Sequence, residues 1–298
     1  MKLKLLFAFL TLSITFCFSQ TSDDDSDNSD SIPEKKSFFA AGLNYTSNSV
    51  TIGRAELNSI NPAIGATVGY NFAFGMYLNV ESGILPNQVS TSTTTNPTNI
   101  FGGLSLQGGY GFIIFEDLLT ADVNYTHYLF QNSSKISSEI QGTASGSLSF
   151  DLGFIGADIV SDYSYGNANN DVMINFSVNK DLNLFPIGKD TLHITPTLSA
   201  YAGTQNLIGL HLRNVPAKTK NPKLLAAIAA ENAKLIADAK LFKYLDLDLE
   251  IPLSYTINAF TFELTPVFSF PTNLIEPAKV KYFDPNPFSL NFSISIKV

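Results

Sequence analysis

The sequence is short of charge, of cysteine, of histidine and of long apolar runs, and each shortage excludes something. Charged residues make up 15% of the 298, against about 25% in an average soluble domain. So little charge calls for a membrane setting or an unusually large core. No internal stretch approaches the roughly 18 continuous apolar residues of a membrane helix, so the membrane reading cannot rest on helices. The one cysteine, Cys17, lies in the N-terminal segment, which leaves no disulfide framework and no thiolate metal site for the rest of the chain. The three histidines, His127, His193 and His211, are scattered. None stands at a spacing from a serine that would build a hydrolytic pair, and none clusters for a metal. A net charge of −8 argues against nucleic acid, which needs clustered basic residues.

The first twenty residues read "MKLKLLFAFLTLSITFCFSQ". Lys2 and Lys4 form a basic start, Leu5 to Phe16 an apolar stretch, and Ser19 a small residue at the end. This is the pattern of a secretory signal peptide over 1–19. A lipid attached at Cys17 is the rival reading, but that pathway wants a small residue before the cysteine, and Phe16 stands there. Residues 20–36 are acidic and polar without apolar periodicity, as a solvated linker is. Asp23, Asp25 and Asp27 imitate the start of a calcium loop, but its glycine and distal glutamate are missing.

From 37 to 298 the dominant signal is what is present, a period-2 alternation in segments of about ten residues. In "YLDLDLEIPLSY", Leu245, Leu247, Leu249, Ile251, Leu253 and Tyr255 share one face, and Asp246, Asp248, Glu250 and Ser254 share the other. "PFSLNFSISIKV" at the C-terminus repeats the pattern. The spans 38–47, 60–73, 76–85, 100–112, 118–129, 136–146, 149–164, 171–180, 191–203, 243–257, 259–270 and 287–298 give about twelve strands. The phase slips between Leu152 and Ile155, where a bulge or another turn would fit. Pro196, Pro252 and Pro266 fall inside predicted strands, where proline cannot donate to a ladder.

Connections near Phe74, 115–117, Asp151, 181–190 and Asn258 are short, while 85–99, 204–242 and 271–286 are long. That asymmetry is the pattern of outer-membrane barrels. Within 204–242, Asn221 is a helix N-cap and Pro222 a first helical residue. The spacing predicts a helix over about 222–240, with Leu225, Ile228, Leu235 and Ile236 on one side. The same loop gathers basic residues, among them Arg213, Lys218, Lys220 and Lys223. It is expected either to pack over the barrel interior or to decorate the rim.

Export, strand length and polar faces of Ser, Thr, Asn, Gly and Asp in place of Lys and Glu together predict an all-β chain: a closed antiparallel transmembrane β-barrel. Its apolar face meets lipid and its polar face the interior. A soluble sandwich is the alternative. The alternation places Asp246, Asp248, Glu250, Glu263, Asp122 and Glu81 inward, along with Glu139, Asp158 and Asp162, and Lys297 as the clear inward cation. The expected setting of these acids is a water-filled interior that keeps them hydrated. Tyr255, Phe260 and Phe270 fall near strand ends, where interfacial aromatics belong. "GGLSLQGGYG" (102–111) lacks the lysine and helix of a phosphate loop, so its glycines read as strand curvature.

The "FCFSQ" ending of the signal peptide, the acidic spacer, the alternating strands and the "SISIKV" terminus resemble exported β-barrel proteins of Bacteroidota. The likeness is one of architecture and carries no diagnostic motif; Val298 departs from the aromatic end of many such barrels. It implies an outer-membrane location, with outer-membrane lipid and the barrel assembly machinery as partners. Two functions are compatible with these features. One is a porin-like channel with a cation-preferring lining; the other is a structural, adhesive or assembly protein that uses the barrel as an anchor. No catalytic residue, cofactor or metal is expected.

Overall fold

The computed structural model describes residues 36–47, 63–84, 101–116, 118–130, 140–166, 169–187, 190–207, 221–273, 275 and 288–298. The segment expected to be a signal peptide and most of the expected acidic linker lie outside these residues, as do Glu139, His211, Arg213, Lys218 and Lys220.

Alternating apolar and polar residues form fifteen strands. Seven lie in the first half: β1 (Phe38–Thr46), β2 (Ala63–Asn71), β3 (Met76–Ile84), β4 (Phe101–Phe115), β5 (Leu119–Phe130), β6 (Ile140–Asp151) and β7 (Gly156–Gly166). The second half supplies β8 (Asn170–Asn179), β9 (Leu182–Ile187), β10 (Asp190–Ile194), β11 (Thr197–Gly203), β12 (Lys243–Glu250), β13 (Leu253–Ile257), β14 (Phe260–Ser269) and β15 (Phe288–Lys297). Each long strand pairs antiparallel with its sequence neighbour, and β1 pairs with β15. Pairing of β12 with β14 closes the sheet.

Three short strands continue longer ones. β9 extends β8, β10 leads into β11, and β13 extends β12. The register is the same on both sides of each break: Thr197 faces Asn179 and Ile194 faces Leu182, while Glu250 faces Val267 and Leu253 faces Leu264. The wall is therefore a closed antiparallel barrel of twelve staves. The hairpin of β9 and β10 occupies most of the 181–190 segment expected to be a connection. Residues 149–151 end β6, and the expected phase slip is a tight turn in which Gly153 adopts φ +76° and donates to Asp151 Oδ1 at 2.7 Å.

The prolines align across the wall. Thr195 N–H donates to the Pro252 carbonyl, Ile251 N–H to the Pro266 carbonyl and Lys180 N–H to the Pro196 carbonyl, at 3.0, 3.0 and 3.2 Å. Each proline lacks an N–H but still accepts from the adjacent stave. One row of missing donors thus interrupts the strands without shifting their register.

Tight turns, the start of β1 and Val298 share one rim, where Phe39 and Val298 exchange backbone hydrogen bonds of 2.8 and 2.9 Å. At the first of these turns Gly75 has φ +101°, and a Cβ there would lie 2.3 Å from the Gly111 carbonyl oxygen. The opposite rim carries the longer connections and α1 (Pro222–Ala239). The Asn221 side chain caps α1 by accepting from the N–H groups of Lys223 and Leu224. Ile228 and Ala239 are buried on one face, Leu225 and Leu235 are half-buried beside them, and Ile236, expected on that side, is exposed.

Polarity is inverted relative to a soluble protein. Leu43 is 59% exposed on the outside and Val123 52%, whereas Asn44, Asn79 and Ser105 are buried inside. Closing the ring satisfies the strand backbone around the wall, which lipid contact requires. One residue departs from the expected outer ridge. The register of β11 on β12 shifts between Tyr201 and Ala202, leaving Leu245 as an extra residue at a bulge. It is fully buried and does not face lipid, because the bulge resets the alternation above Asp246.

Candidate functional site

The interior surface is the only face with concentrated ionisable side chains among the described residues. Cross-strand pairing fixes which residues point there. Thr67 faces Glu81 and Glu81 faces Ser105; Gly111 faces Asp122, and Asp122 faces Ser147. Ser149 and Ser145 face Asp158 and Asp162, and Thr197, Ser199 and Tyr201 face Glu250, Asp248 and Asp246. Glu263 lies between Ser254 and Ser293. Eight of the nine acids expected inward stand on this face of the sheet, and the ninth, Glu139, lies outside the described residues.

Three acids of β5 and β7, Asp122, Asp158 and Asp162, are surrounded by donors. Asp122 Oδ1 accepts from the Tyr77 hydroxyl at 3.0 Å and from Asn124 Nδ2 at 2.8 Å. Gln107 links Asn124 to Asn79. Ser145 donates to Asp162 at 2.6 Å, and Ser177 and Asn179 donate to Asp158 Oδ2 at 3.2 and 3.0 Å. Gly109 makes room for this network: a Cβ there would lie 2.3 Å from the Tyr77 ring. The glycines of 102–111 lie in β4, as the strand reading has it.

The wall of β12 and β14 differs. Asp246 Oδ1 accepts from Leu247 N–H at 2.7 Å, but Oδ2 is buried and meets no donor. Asp248 Oδ1 is likewise buried without a donor. Asp246 is 0% exposed and Asp248 4%, so the expected hydration of these two is corrected: both are buried in the wall. Glu250 and Glu263 below them are half-buried, and Glu263 Oε1 accepts from Thr265. Basic residues on the described interior are few. Lys297 stands over the Phe38 ring at 4.1 Å near the tight-turn rim, and Lys243 at the other rim is paired with Asp238 at 3.4 Å.

A clasp of hydrogen bonds covers the upper end of this wall. Gln205 Nε2 donates to the Asn273 carbonyl at 3.0 Å, its Oε1 accepts from Ile275 N–H at 2.9 Å, and its own N–H donates to the Ala239 carbonyl at 2.8 Å. Asp171, buried at the head of β8, accepts from Thr204 Oγ1, Asn206 N–H and Leu207 N–H at 2.7, 2.6 and 2.8 Å. Thr272 and Phe270 N–H groups bond the carbonyls of Leu245 and Leu247. Both ends of the helical loop are thereby tied to the next loop and to β12. No Cα of α1 comes within 8 Å of a strand Cα. Lys223 is exposed in the first turn of α1. Asp171 and Gln205 carry no sequence signal, because a single acid and a single amide at strand ends look like any loop residue.

The histidines stay apart. His127 faces outward, 3.3 Å from the Tyr125 hydroxyl, which bonds Tyr165. His193 faces inward, opposite Ser254. Among the described residues no three acids, histidines or cysteines converge to hold a metal.

No protein-family model matches the chain, and no curated protein matches it. Solved structures of similar shape include the KdgM porin, with TM-score 0.48 and 8% identity over 86% of this chain and 98% of that one. The NanC porin matches with TM-score 0.46 and 12% identity over 88% and 100%. An outer membrane channel from Pseudomonas putida F1 matches with TM-score 0.45 and 10% identity over 91% and 99%. Every one of these scores is below 0.5, and the barrel described above rests on its own strand registers.

Proposed function

We propose that the chain is an outer-membrane β-barrel of the Bacteroidota type that admits small cations, without chemistry of its own. The observation that carries this reading is the acidic interior within an inside-out barrel. Carboxylates line both walls, and positive charge on the described interior is confined to the two rims. Such a lining lowers the energy of cations and raises that of anions within a low-dielectric enclosure. Outer-membrane lipid and the barrel assembly machinery are the partners this reading requires.

Planar-bilayer recording tests it. In a salt gradient the reversal potential should report cation preference. Changing Asp246, Asp248 and Glu250 together to their amides should move it toward anion permeation. Anion preference in the unmodified protein would sink the reading. A second reading, a barrel that anchors its loops for a structural or adhesive role, is favoured by the clasp over β12. An electrically silent barrel that stays silent when residues 213–240 are replaced by a short Gly-Ser turn would support it. A rise in conductance on that replacement would instead place the loop over the pore, as its basic residues suggest.

A further inference from the structure

We propose that three neighbouring tight turns, those joining β2 to β3, β4 to β5 and β6 to β7, are seated in the lipid leaflet at their rim and anchor that side of the barrel. This rests on the membrane reading of the wall and adds an interaction surface to it. The three turns read "FAFG" (72–75), "FEDL" (115–118) and "LGFI" (152–155), whereas those of β9–β10 and β13–β14 read "IGKD" (187–190) and "INAF" (257–260). Phe74, Phe115 and Phe154 are 61, 60 and 69% exposed. Bare rings grouped in this way mark a surface that meets something apolar.

What they meet follows from the face they continue. On β2, Tyr70 faces out beside Val68, the Phe72 ring lies 4.8 Å from Tyr70, and the Phe74 ring lies 5.3 Å from Phe72. On β4, Tyr110 and Phe112 stack along the outer face at 6.1 Å. Simple alternation would send Phe115 inward after Gln107, Gly109, Gly111 and Ile113. The register shift between Ile113 and Phe115 sets it opposite Leu119 instead, and Leu119 faces Phe150. A bulge thus re-aims one ring to the outside, and Phe115, Leu119 and Phe150 form an outer row across three staves. Past Phe150 the same face runs on into exposed Leu152 and Phe154.

The turns form one surface. Gly111 N–H donates to the Gly75 carbonyl at 3.0 Å, and Asp151 N–H to the Leu118 carbonyl at 2.9 Å, which ties each turn to the next hairpin. Charge within the three turns is confined to Glu116 and Asp117, at the far point of the middle one. The lipid-facing wall therefore passes into the turns through an unbroken run of aromatic and aliphatic side chains, and rings at that level belong at the boundary of headgroups and acyl chains. The β13–β14 turn ends differently. Asn258 turns the chain with φ +53°, the Ala259 carbonyl accepts from Lys297 N–H at 3.0 Å, and Lys297 itself is exposed. That side of the rim suits water.

Tryptophan fluorescence tests this, because the chain contains no tryptophan and each substitution supplies a sole reporter. Phe74→Trp, Phe115→Trp, Phe154→Trp, Ala259→Trp and Val123→Trp are reconstituted as full chains in phosphatidylcholine vesicles, with heat-modifiability confirming the barrel. The three tip reporters should lose at least half their emission to lipid brominated close to the headgroup, and should be quenched by iodide at least threefold less than Ala259→Trp. Iodide quenching equal to that of Ala259→Trp would put the tips in water and overturn the anchor. Quenching by neither agent would mean that protein covers them, a second copy included, and overturns it too. Bromolipid quenching of Ala259→Trp as strong as at the tips would remove the asymmetry and with it the proposal. Val123→Trp separates the two levels of failure: quenched there but not at the tips, the barrel reading stands and the anchor falls; unquenched at Val123, the membrane reading itself fails. A measurement on the unmodified protein needs no variant to fold. A phosphatidylcholine carrying a diazirine near its headgroup should label 72–75, 115–118 and 152–155 on illumination and spare Asn258 and Ala259. Labelling of that pair without the three turns overturns the proposal.

Discussion

Two walls of the barrel carry the same kind of acid in different company. From β3 to β8, Asp122, Asp158 and Asp162 each accept from a neighbouring hydroxyl or amide: Tyr77, Asn124, Ser145, Ser177 or Asn179. On β12, Asp246 and Asp248 each keep an oxygen without a donor, though they are more deeply buried. The first arrangement spends its carboxylates on internal order, since a satisfied network in a low-dielectric interior fixes its members. The second leaves unmatched charge, which acts on whatever enters the barrel. The same residue type is satisfied on one side and only partly satisfied on the other.

The largest break addresses the distinction on which both walls depend, outside against inside. Leu249 faces out, paired with Leu198 and Phe268, and Glu250 faces in. Leu249→Arg should cost about 2–4 kcal/mol, as a charge on the lipid face near the midplane does, and should deplete the heat-modifiable folded form. Glu250→Gln should assemble normally. Equal tolerance at the two positions would reverse the faces.

Next comes the contrast itself. Asp122→Ala removes an acceptor from the Tyr77 hydroxyl and the Asn124 amide, and each lost buried partner costs roughly 1–3 kcal/mol. Asp246→Asn should be neutral or stabilising, because it removes charge from a site that never satisfied it. Urea midpoints of the refolded proteins rank the two. If Asp246→Asn destabilises more than Asp122→Ala, the division between the walls is wrong.

The clasp gives a smaller effect. Gln205→Ala removes the amide that joins the helical loop to Asn273 and Ile275. With two neutral hydrogen bonds lost, the expected cost is about 1–2 kcal/mol, accompanied by faster hydrogen exchange at Thr272 and Ile275. Unchanged exchange there would show that the clasp does not hold the loop.

How much of this was legible in the sequence follows from the physics of strands. Alternation is local, so the twelve staves, the inward set of acids and the helix cap at Asn221 could be read directly. Bulges and continuations are decided by partners distant in sequence. The extra residue at Leu245 depends on the register of β11, and the β9–β10 hairpin depends on pairing with β13, so alternation alone runs the outer ridge one residue too far and gives a connection where the fold has a hairpin. The prolines were visible, but their meaning needed three strands side by side. Burial of Asp246 and Asp248 was hidden for the same reason, because the segment from Phe270 to Asn273 that bonds β12 is contiguous with it only in the fold.

The smallest effect separates position from mere sign of charge. Lys297 is the clear interior cation of the staves, on β15 opposite Ala40 at the tight-turn rim. Its Nζ lies 4.1 Å from the Phe38 ring centroid. An exposed cation–π contact of this kind contributes about 0.5–1 kcal/mol, so Lys297→Met should lower the urea midpoint by an amount of that order. Asp246 pairs with Tyr201 near the opposite rim, and the interaction of two charges weakens with their separation. The substitution should therefore increase cation preference only slightly. If cation preference instead rose steeply, Lys297 would be acting as the counter-charge of the β12 acids, and the two walls would differ far less than their hydrogen bonds suggest.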